Sequence, residues 1–317
     1  MQTLFLEKTG ITLRTERACL LIYQQGKHIG SLPLKELERV VASPQVVLAA
    51  GVLGVFCEHN IALLVVNHSN PKRTAYLSAP MHSDVHRRMR QYALYQDQTF
   101  RTHQARRLVF LKLSRQYRLL AKQQDSRPDL RHVLFKAMET LRHLLEDIKT
   151  DGETLTLERL RGVEGAAGGA YFAAYSRLFP PALGFEHRHR RPPTDPVNAC
   201  LSLSYTLLHH EAADALRAVG LDPALGCYHD LYYQRDSLAC DLLEPIRPWI
   251  DAWVFGLFHS HRLRPEDFKH ENGGCLLQAA GKQRFYETYR RQAPAFRRLL
   301  RQYARMAEHT VMNDESQ

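Results

Sequence analysis

The chain has 317 residues, long for one compact domain and enough for two, and its 44% hydrophobic and 24% charged residues are ordinary for a globular protein with a sizeable core. No apolar run reaches the roughly 18 residues a bilayer-spanning helix needs, and Met1-Gln2-Thr3-Leu4-Phe5-Leu6-Glu7 has no basic segment leading into an apolar one, so neither a membrane span nor a secretory leader is expected. The formal charge of +10, from 43 Lys and Arg against 33 Asp and Glu, favours polyanionic partners, nucleic acid above all. None of the six cysteines forms a C-x-x-C pair, which argues against a zinc ribbon or a dithiol redox motif. Cys57 and Cys200 lie in apolar runs and read as buried thiols, and a reducing cytoplasm fits.

Residues 3–78 read as a small strand-rich unit. Leu4-Phe5-Leu6, Ile11-Thr12-Leu13 and residues 18–23, 28–32 and 61–66 are short and apolar, and Gly10, Gln25-Gly26 and His59-Asn60 supply turns. Residues 45–57 fit either strand or buried helix, and their length and Ala, Leu and Gly content favour a short helix. No catalytic cluster stands out here, so the expected role is folding and subunit contact. The character changes near Ser78-Ala79-Pro80, and through residue 150 the chain is rich in Arg, Gln and Leu and lacks glycine. Over 84–95 and 97–124, apolar residues such as Leu108, Leu111, Leu113, Tyr117, Leu119 and Leu120 recur at helical spacing. Arg87, Arg88, Arg90, Arg101, Arg106 and Arg107 together suggest a phosphate-facing surface.

Residues 151–179 are expected to form a helix carrying Glu164. Each of its glycines, at 162, 165, 168 and 169, costs about 1 kcal/mol against alanine in a helix interior. Close approach of another helix or of a ligand is the expected compensation. Tyr171, Phe172 and Tyr175 read as core, with base stacking as the functional alternative. Residues 180–194 form a proline-stiffened basic loop ending in Arg190-Arg191-Pro192-Pro193-Thr194. Asp195 then caps a densely apolar helix that begins at Pro196 and stops at Gly220. A short turn leads to His229. Asp236 or Ser237 starts a helix on which Asp241 and Glu244, three residues apart, share a face. The glycine turn at Asn272-Gly273-Gly274 leads into a last basic helix, 281–308, and a polar tail, 309–317.

One histidine and two or three carboxylates suit a hard-to-borderline divalent ion such as Mg²⁺ or Mn²⁺. On composition alone Glu164 reads equally as an ion-pair residue and His229 as a satisfied core histidine. His187 with His189, His209 with His210, and His259 with His261 lack matched carboxylates or cysteines and read as surface or hydrogen-bonded histidines.

Four ordered motifs resemble the CRISPR adaptation integrase family, whose members insert new spacers. Gly162-Val163-Glu164-Gly165 followed by Tyr171-Phe172 is similar to its glutamate motif. Residues 190–199 with Leu203-Ser204-Tyr205 match the next. Gly220-Leu221-Asp222-Pro223 with Gly226-x-x-His229 matches its histidine motif, and residues 237–248 its aspartate motif. The segment from Asp267-Phe268 to Gly273-Gly274 also fits. Gly168 and Ala170 depart from the bulkier or basic residues usual there, and Cys227-Tyr228 from the usual apolar pair.

The resemblance implies an α+β protein: a β-rich dimerisation domain over 1–79, then a larger all-α catalytic domain over 80–308. It implies a homodimer, DNA as substrate, a small companion protein ("Cas two"), and metal-dependent attack of a 3′-hydroxyl on a phosphodiester. Glu164, His229 and Asp241 would be the metal ligands and catalytic residues, Mg²⁺ or Mn²⁺ the cofactor, and Glu244 a supporting acid. Arg190, Arg191, Arg235, Lys282 and Arg284 are candidate phosphate contacts. A general metal-dependent DNA nuclease in repair and a non-catalytic DNA-binding scaffold are the alternatives.

Overall fold

The computed structural model describes residues 2–67, 73–78, 81–150, 155–189, 192–233, 235–271 and 273–313. They form two compact units: Met1–Met81 with Leu277–Ala293, and His82–Leu276 with Pro294–Gln317.

The first unit holds β1 (Gln2–Leu6), β2 (Ile11–Glu16), β3 (Cys19–Gln24), β4 (Lys27–Pro33), β5 (Leu37–Ala42), β6 (Val47–Leu48), α1 (Ala50–Glu58), β7 (Ala62–Val65), β8 (Ala75–Leu77) and the start of α9 (Ala279–Asn313). Two four-stranded sheets result, ordered β1-β5-β7-β8 and β4-β3-β2-β6. Gly26 takes positive φ at the β3–β4 hairpin turn of the second sheet, and Gly10 does so where the chain passes from β1 into β2, a conformation open to glycine at no steric cost. Ile11 and Leu13 of β2, two apart, point into a core with Leu20, Val40, Phe56 and Ile61.

The central strand β5 is not evident from sequence because Glu38 and Arg39 interrupt its apolar run. Parallel pairing with β1 on one side and β7 on the other makes it a strand regardless. Residues 45–57 divide into β6 and α1, whose Val52 and Phe56 face the core one turn apart. Cys57, the next residue round the helix, is exposed, which corrects the expected buried thiol, whereas Cys200 is buried as expected. Tyr286 of α9 stacks on Phe5 with ring centroids 4.5 Å apart, and Lys282 pairs with Glu7 at 3.0 Å.

The second unit is mostly helical: α2 (Val85–Gln96), α3 (Gln98–Gln124), α4 (Arg131–Thr150), α5 (Leu157–Ser176), α6 (Pro196–Ala218), α7 (Ser237–Leu243), α8 (Arg247–His259) and the remainder of α9. A strand-rich part followed by a larger helical one is the expected class, with the addition of a hairpin, β9 (Phe268–Glu271) and β10 (Gly274–Leu277).

Capping sets the helix starts. Asp84 accepts from His86 N at the head of α2, Asp97 from Thr99 N and Phe100 N at the head of α3, and Asp195 from Asn198 N at the head of α6. Gly220, at φ 82°, ends α6. The last helix runs on to Asn313, into the stretch expected to be a polar tail.

Two expectations about α3 and its neighbours are revised. The buried residues of α3 are Phe100, Ala105, Val109, Lys112, Leu113, Gln116, Leu119 and Leu120, so Leu113, Leu119 and Leu120 are buried as expected, Leu108, Leu111 and Tyr117 are only half-buried, and two polar residues join the buried face. The arginines expected to form a phosphate surface largely tie helices together. Arg87 donates to Val219 O, Arg90 to Val311 O, and Arg106 to Ile148 O and Lys149 O, while Arg101 pairs with Asp230.

Candidate active site

Glu164 is placed by the apolar pattern of its own helix. In α5, Leu157, Leu160, Ala167 and Tyr171 form a buried stripe at spacings of three, seven and four. Glu164 falls in line within it, four after Leu160 and three before Ala167, so its carboxylate is carried to the helix–helix contact rather than to open solvent. Thr156 caps this helix by accepting from Arg159 N. Among the described residues nothing supplies the expected compensation for the glycines: a Cβ at Gly162, Gly165, Gly168 or Gly169 would meet no heavy atom of theirs within 4 Å. Tyr171 and Tyr175, by contrast, are fully buried and stacked with centroids 5.5 Å apart, as core residues rather than stacking platforms.

Opposite Glu164 stands Lys112 of α3, a residue that no sequence motif singles out. Its ammonium donates to Glu164 Oε1 and, at 2.5 Å, to Glu244 Oε2. The Lys112 and Glu244 side chains are 9% and 7% exposed, so this is a nearly dry ion triad with only Glu164 reaching solvent, at 25%. The other oxygen of Glu244 accepts from Arg247 Nε at 2.9 Å. Burial pushes the Glu244 carboxyl up, but the charges of Arg247 and Lys112 outweigh it and hold the group well below the ordinary carboxylate range. The sequence signal for Lys112 is a charge in register with Val109, Leu113 and Gln116 on the face that proves to be the buried one.

His229 reaches the same place from the other side. Its Nε2 lies 3.9 Å from Glu244 Oε1. Its Nδ1 lies 2.6 Å from Asp241 Oδ1, which also accepts from His229 N at 3.0 Å, while Asp241 Oδ2 accepts from Tyr228 N at 2.9 Å. Asp241 is 1% exposed, and both its oxygens are engaged by this loop. With Asp241 Oδ1 accepting a hydrogen bond from Nδ1–H, the tautomer that pairs with it carries its lone pair on Nε2.

The approach is close. A Cβ at Gly226 would lie 2.8 Å from Asp241 Oδ2 and 2.8 Å from the Ser237 main chain. The loop is pinned further where Asp230 bridges Arg101 at 2.9 Å and Arg161 at 2.5 Å, and where Ser237 Oγ donates to Asp230 O at 2.8 Å. Cys227 takes no part as a thiolate, since burial and then the Asp241 charge push its thiol up to about 12.

The structure thus brings Glu164, His229, Asp241 and Glu244 together at the junction of α3, α5 and α7. Among the described residues, no three His, Cys, Asp or Glu side chains stand close enough to bind a metal as they are set. The geometry gives the reason: the Lys112 ammonium lies between the two glutamates, and Asp241 is turned onto His229. The histidine pairs contribute no such cluster either.

Of the candidate phosphate contacts, Arg190 and Arg191 lie outside the described residues. Arg188 and His189, just before them, are held by the fully buried Asn198, which accepts from Arg188 Nη1 at 2.7 Å and from His189 N at 3.0 Å. Arg235 sits in the loop between His229 and α7, whereas Lys282 and Arg284 belong to the first unit.

The family model described as CRISPR associated protein Cas1 matches residues 4–291. "CRISPR-associated endonuclease Cas1 1" of Thermodesulfovibrio yellowstonii is 36% identical over 291 residues, covering 91% of this chain and 90% of that protein. Among solved structures, "Casposase bound to integration product" superposes with a TM-score of 0.84 at 20% identity, over 100% of this chain and 92% of that one. A "Cas6-RT-Cas1--Cas2 complex" superposes with a TM-score of 0.83 at 21% identity, over 99% of this chain and 35% of that one. The two structural likenesses establish the fold. Ordered motifs, fold and family match agree, and the chain belongs to the CRISPR associated protein Cas1 family.

Proposed function

We propose that this chain is a metal-dependent DNA endonuclease and integrase. It would join the 3′-hydroxyl of a short foreign DNA to a phosphodiester of a CRISPR array by transesterification, in antiviral defence. The observation that carries this is the convergence of Glu164 and Glu244 on one cation, the Lys112 ammonium, with His229 Nε2 3.9 Å from Glu244 Oε1, in a member of the Cas1 family.

The donor set fits a divalent ion: two carboxylates and one imidazole nitrogen suit Mg²⁺ or Mn²⁺, and the space between the acids already holds a positive charge. Glu164, Glu244 and Nε2 of His229 would hold the ion. Asp241, expected from the resemblance to be a ligand, would act through His229 instead, because its oxygens already serve Nδ1 and two main-chain N–H groups. When bound, the ion supplies Lewis acidity at a phosphodiester oxygen and lowers the pKa of the attacking hydroxyl.

The remaining work belongs to the chain. Asp241 keeps the proton on Nδ1. Arg247 fixes one oxygen of Glu244, and the Asp230 bridge holds the histidine loop in register. The bare glycine face beside Glu164 leaves room for a DNA backbone. Because the nucleophile is a hydroxyl of the DNA, no protein nucleophile is required, and holding that hydroxyl near the target phosphorus is the main catalytic task.

Further assignments rest on the relatives. The casposase was solved with an integration product and another relative with Cas2, which supports DNA as substrate and a small Cas2-like companion. The strand-rich 1–79 region would mediate a homodimer, with the helical 80–308 region catalytic. Arg190, Arg191, Arg235, Lys282 and Arg284 would contact phosphates. No helix among the described residues is long and apolar enough to cross a membrane, and the six cysteines are free, which supports a cytoplasmic protein. The test is to supply DNA with free 3′ ends, a repeat-containing target and Mn²⁺. Joined products support the integrase, cleavage alone a general nuclease, and binding indifferent to EDTA with neither product a scaffold.

A further inference from the structure

Lys112 is an unusual choice for its position. The residue is 7% exposed, on the buried face of α3, and a long cationic side chain is seldom buried unless paired. Here it is paired twice, with acids from two different helix segments. Two carboxylates brought to one point repel unless a cation lies between them. Arg247 and His229 do not supply that link: Arg247 binds Oε1 of Glu244, whereas Lys112 binds Oε2 and is the described bridge to Glu164. The ammonium is a point charge with rotatable donors, so it can stand where a metal ion would and can also leave.

We propose that Lys112 is the resident counter-cation of the Cas1 site: its ammonium holds Glu164 and Glu244 together before metal enters, and a divalent cation binds there by displacing it. This rests on the metal-site reading above. The consequence is a site that is already assembled without metal and whose apparent affinity is lowered by an internal competitor. Lys112 is therefore a positioning residue. Removing its charge should loosen the metal-free protein while tightening metal binding, an opposition that loss of a merely structural lysine would not produce.

The test uses the full chain and Mn²⁺ alone, read by calorimetry and thermal unfolding. Glu164→Ala is the control for the site: it should abolish the high-affinity Mn²⁺ event. Lys112→Met should lower the unfolding temperature in EDTA, bind Mn²⁺ roughly tenfold more tightly, and show a larger Mn²⁺-induced rise in unfolding temperature. An independent readout needs no variant. Amine-reactive labelling of wild-type Lys112, followed by mass spectrometry, should be low in EDTA and rise several-fold in saturating Mn²⁺.

Mn²⁺ binding unchanged by Glu164→Ala overturns the metal-site reading, and this inference with it. Glu164-dependent Mn²⁺ binding, combined with unchanged or weaker affinity in Lys112→Met, overturns the displacement alone. So does labelling of Lys112 that does not respond to Mn²⁺, which remains decisive if the variant fails to fold.

Discussion

At the residue scale, His229 works through a carboxylate that solvent scarcely touches. Asp241 collects Nδ1 of the imidazole and two main-chain N–H groups, so replacing it by asparagine puts an amide donor against one of them. Asp241→Asn should reduce both Mn²⁺ affinity and strand joining by about 10–100-fold, the usual penalty for losing the partner of a metal-binding histidine. Retention of both within a factor of two would show that the carboxylate does not orient the ring.

A second buried acid offers a pH signature away from the metal site. Asp251 is 1% exposed, accepts from Tyr171 at 2.9 Å and from Tyr205, and is pushed up to about 6 by burial, with those hydrogen bonds pulling the other way. Its folded pKa lies above the ordinary 3.8, so its contribution to stability is complete below about pH 4 and is lost as pH rises through about 6. Asp251→Asn lacks that loss. Its stability relative to wild type should therefore improve by about 3 kcal/mol between pH 4 and pH 7 in urea unfolding. A gap independent of pH would contradict the raised value.

What the sequence can reveal at this scale has a clear boundary. Motif order singles out Glu164, His229, Asp241 and Glu244, which do meet in space. It gives no means of dividing their roles, because that depends on which oxygens the main chain engages. Lys112 is visible in the sequence only as a charge among the apolar residues of α3, of which Leu113, Leu119 and Leu120 are buried with it while Leu108 and Leu111 are not.

At the element scale, α5 and the histidine loop use glycine for opposite reasons. Gly169 is exposed, and a methyl group on its Cα would point into open space, so alanine there should stabilise the helix by about 1 kcal/mol. Gly226 lies against Asp241 and the Ser237 main chain, so alanine there should destabilise by about 1–3 kcal/mol and disturb His229. Thermal unfolding of the two variants should thus move in opposite directions, and a shared direction would contradict this distinction. The four glycines of α5 are legible in the sequence as a cost, but packing is the expected compensation, and the structure shows a bare face instead. Caps at Asp195 and Gly220 are legible because they are local; β5 is not, because only its two neighbours make it a strand.

At the scale of the whole molecule, net charge and fold point to a DNA-handling protein, although several arginines that suggest a phosphate surface bind helices together instead. The surplus of +10 should still make DNA binding strongly salt-dependent. Fluorescence anisotropy should show affinity falling by about a thousandfold between roughly 50 and 200 mM salt if some six phosphates are neutralised. A fall of less than about tenfold would remove backbone charge as the main source of affinity.

The central claim is that Glu164 acts in chemistry and not in holding DNA. The direct measurement compares wild type and Glu164→Ala, with DNA bearing free 3′ ends and Mn²⁺, for both DNA affinity and joined product. The account predicts joining lost by at least about a thousandfold, with affinity within a few-fold of wild type. Joining at the wild-type rate by the variant would contradict it.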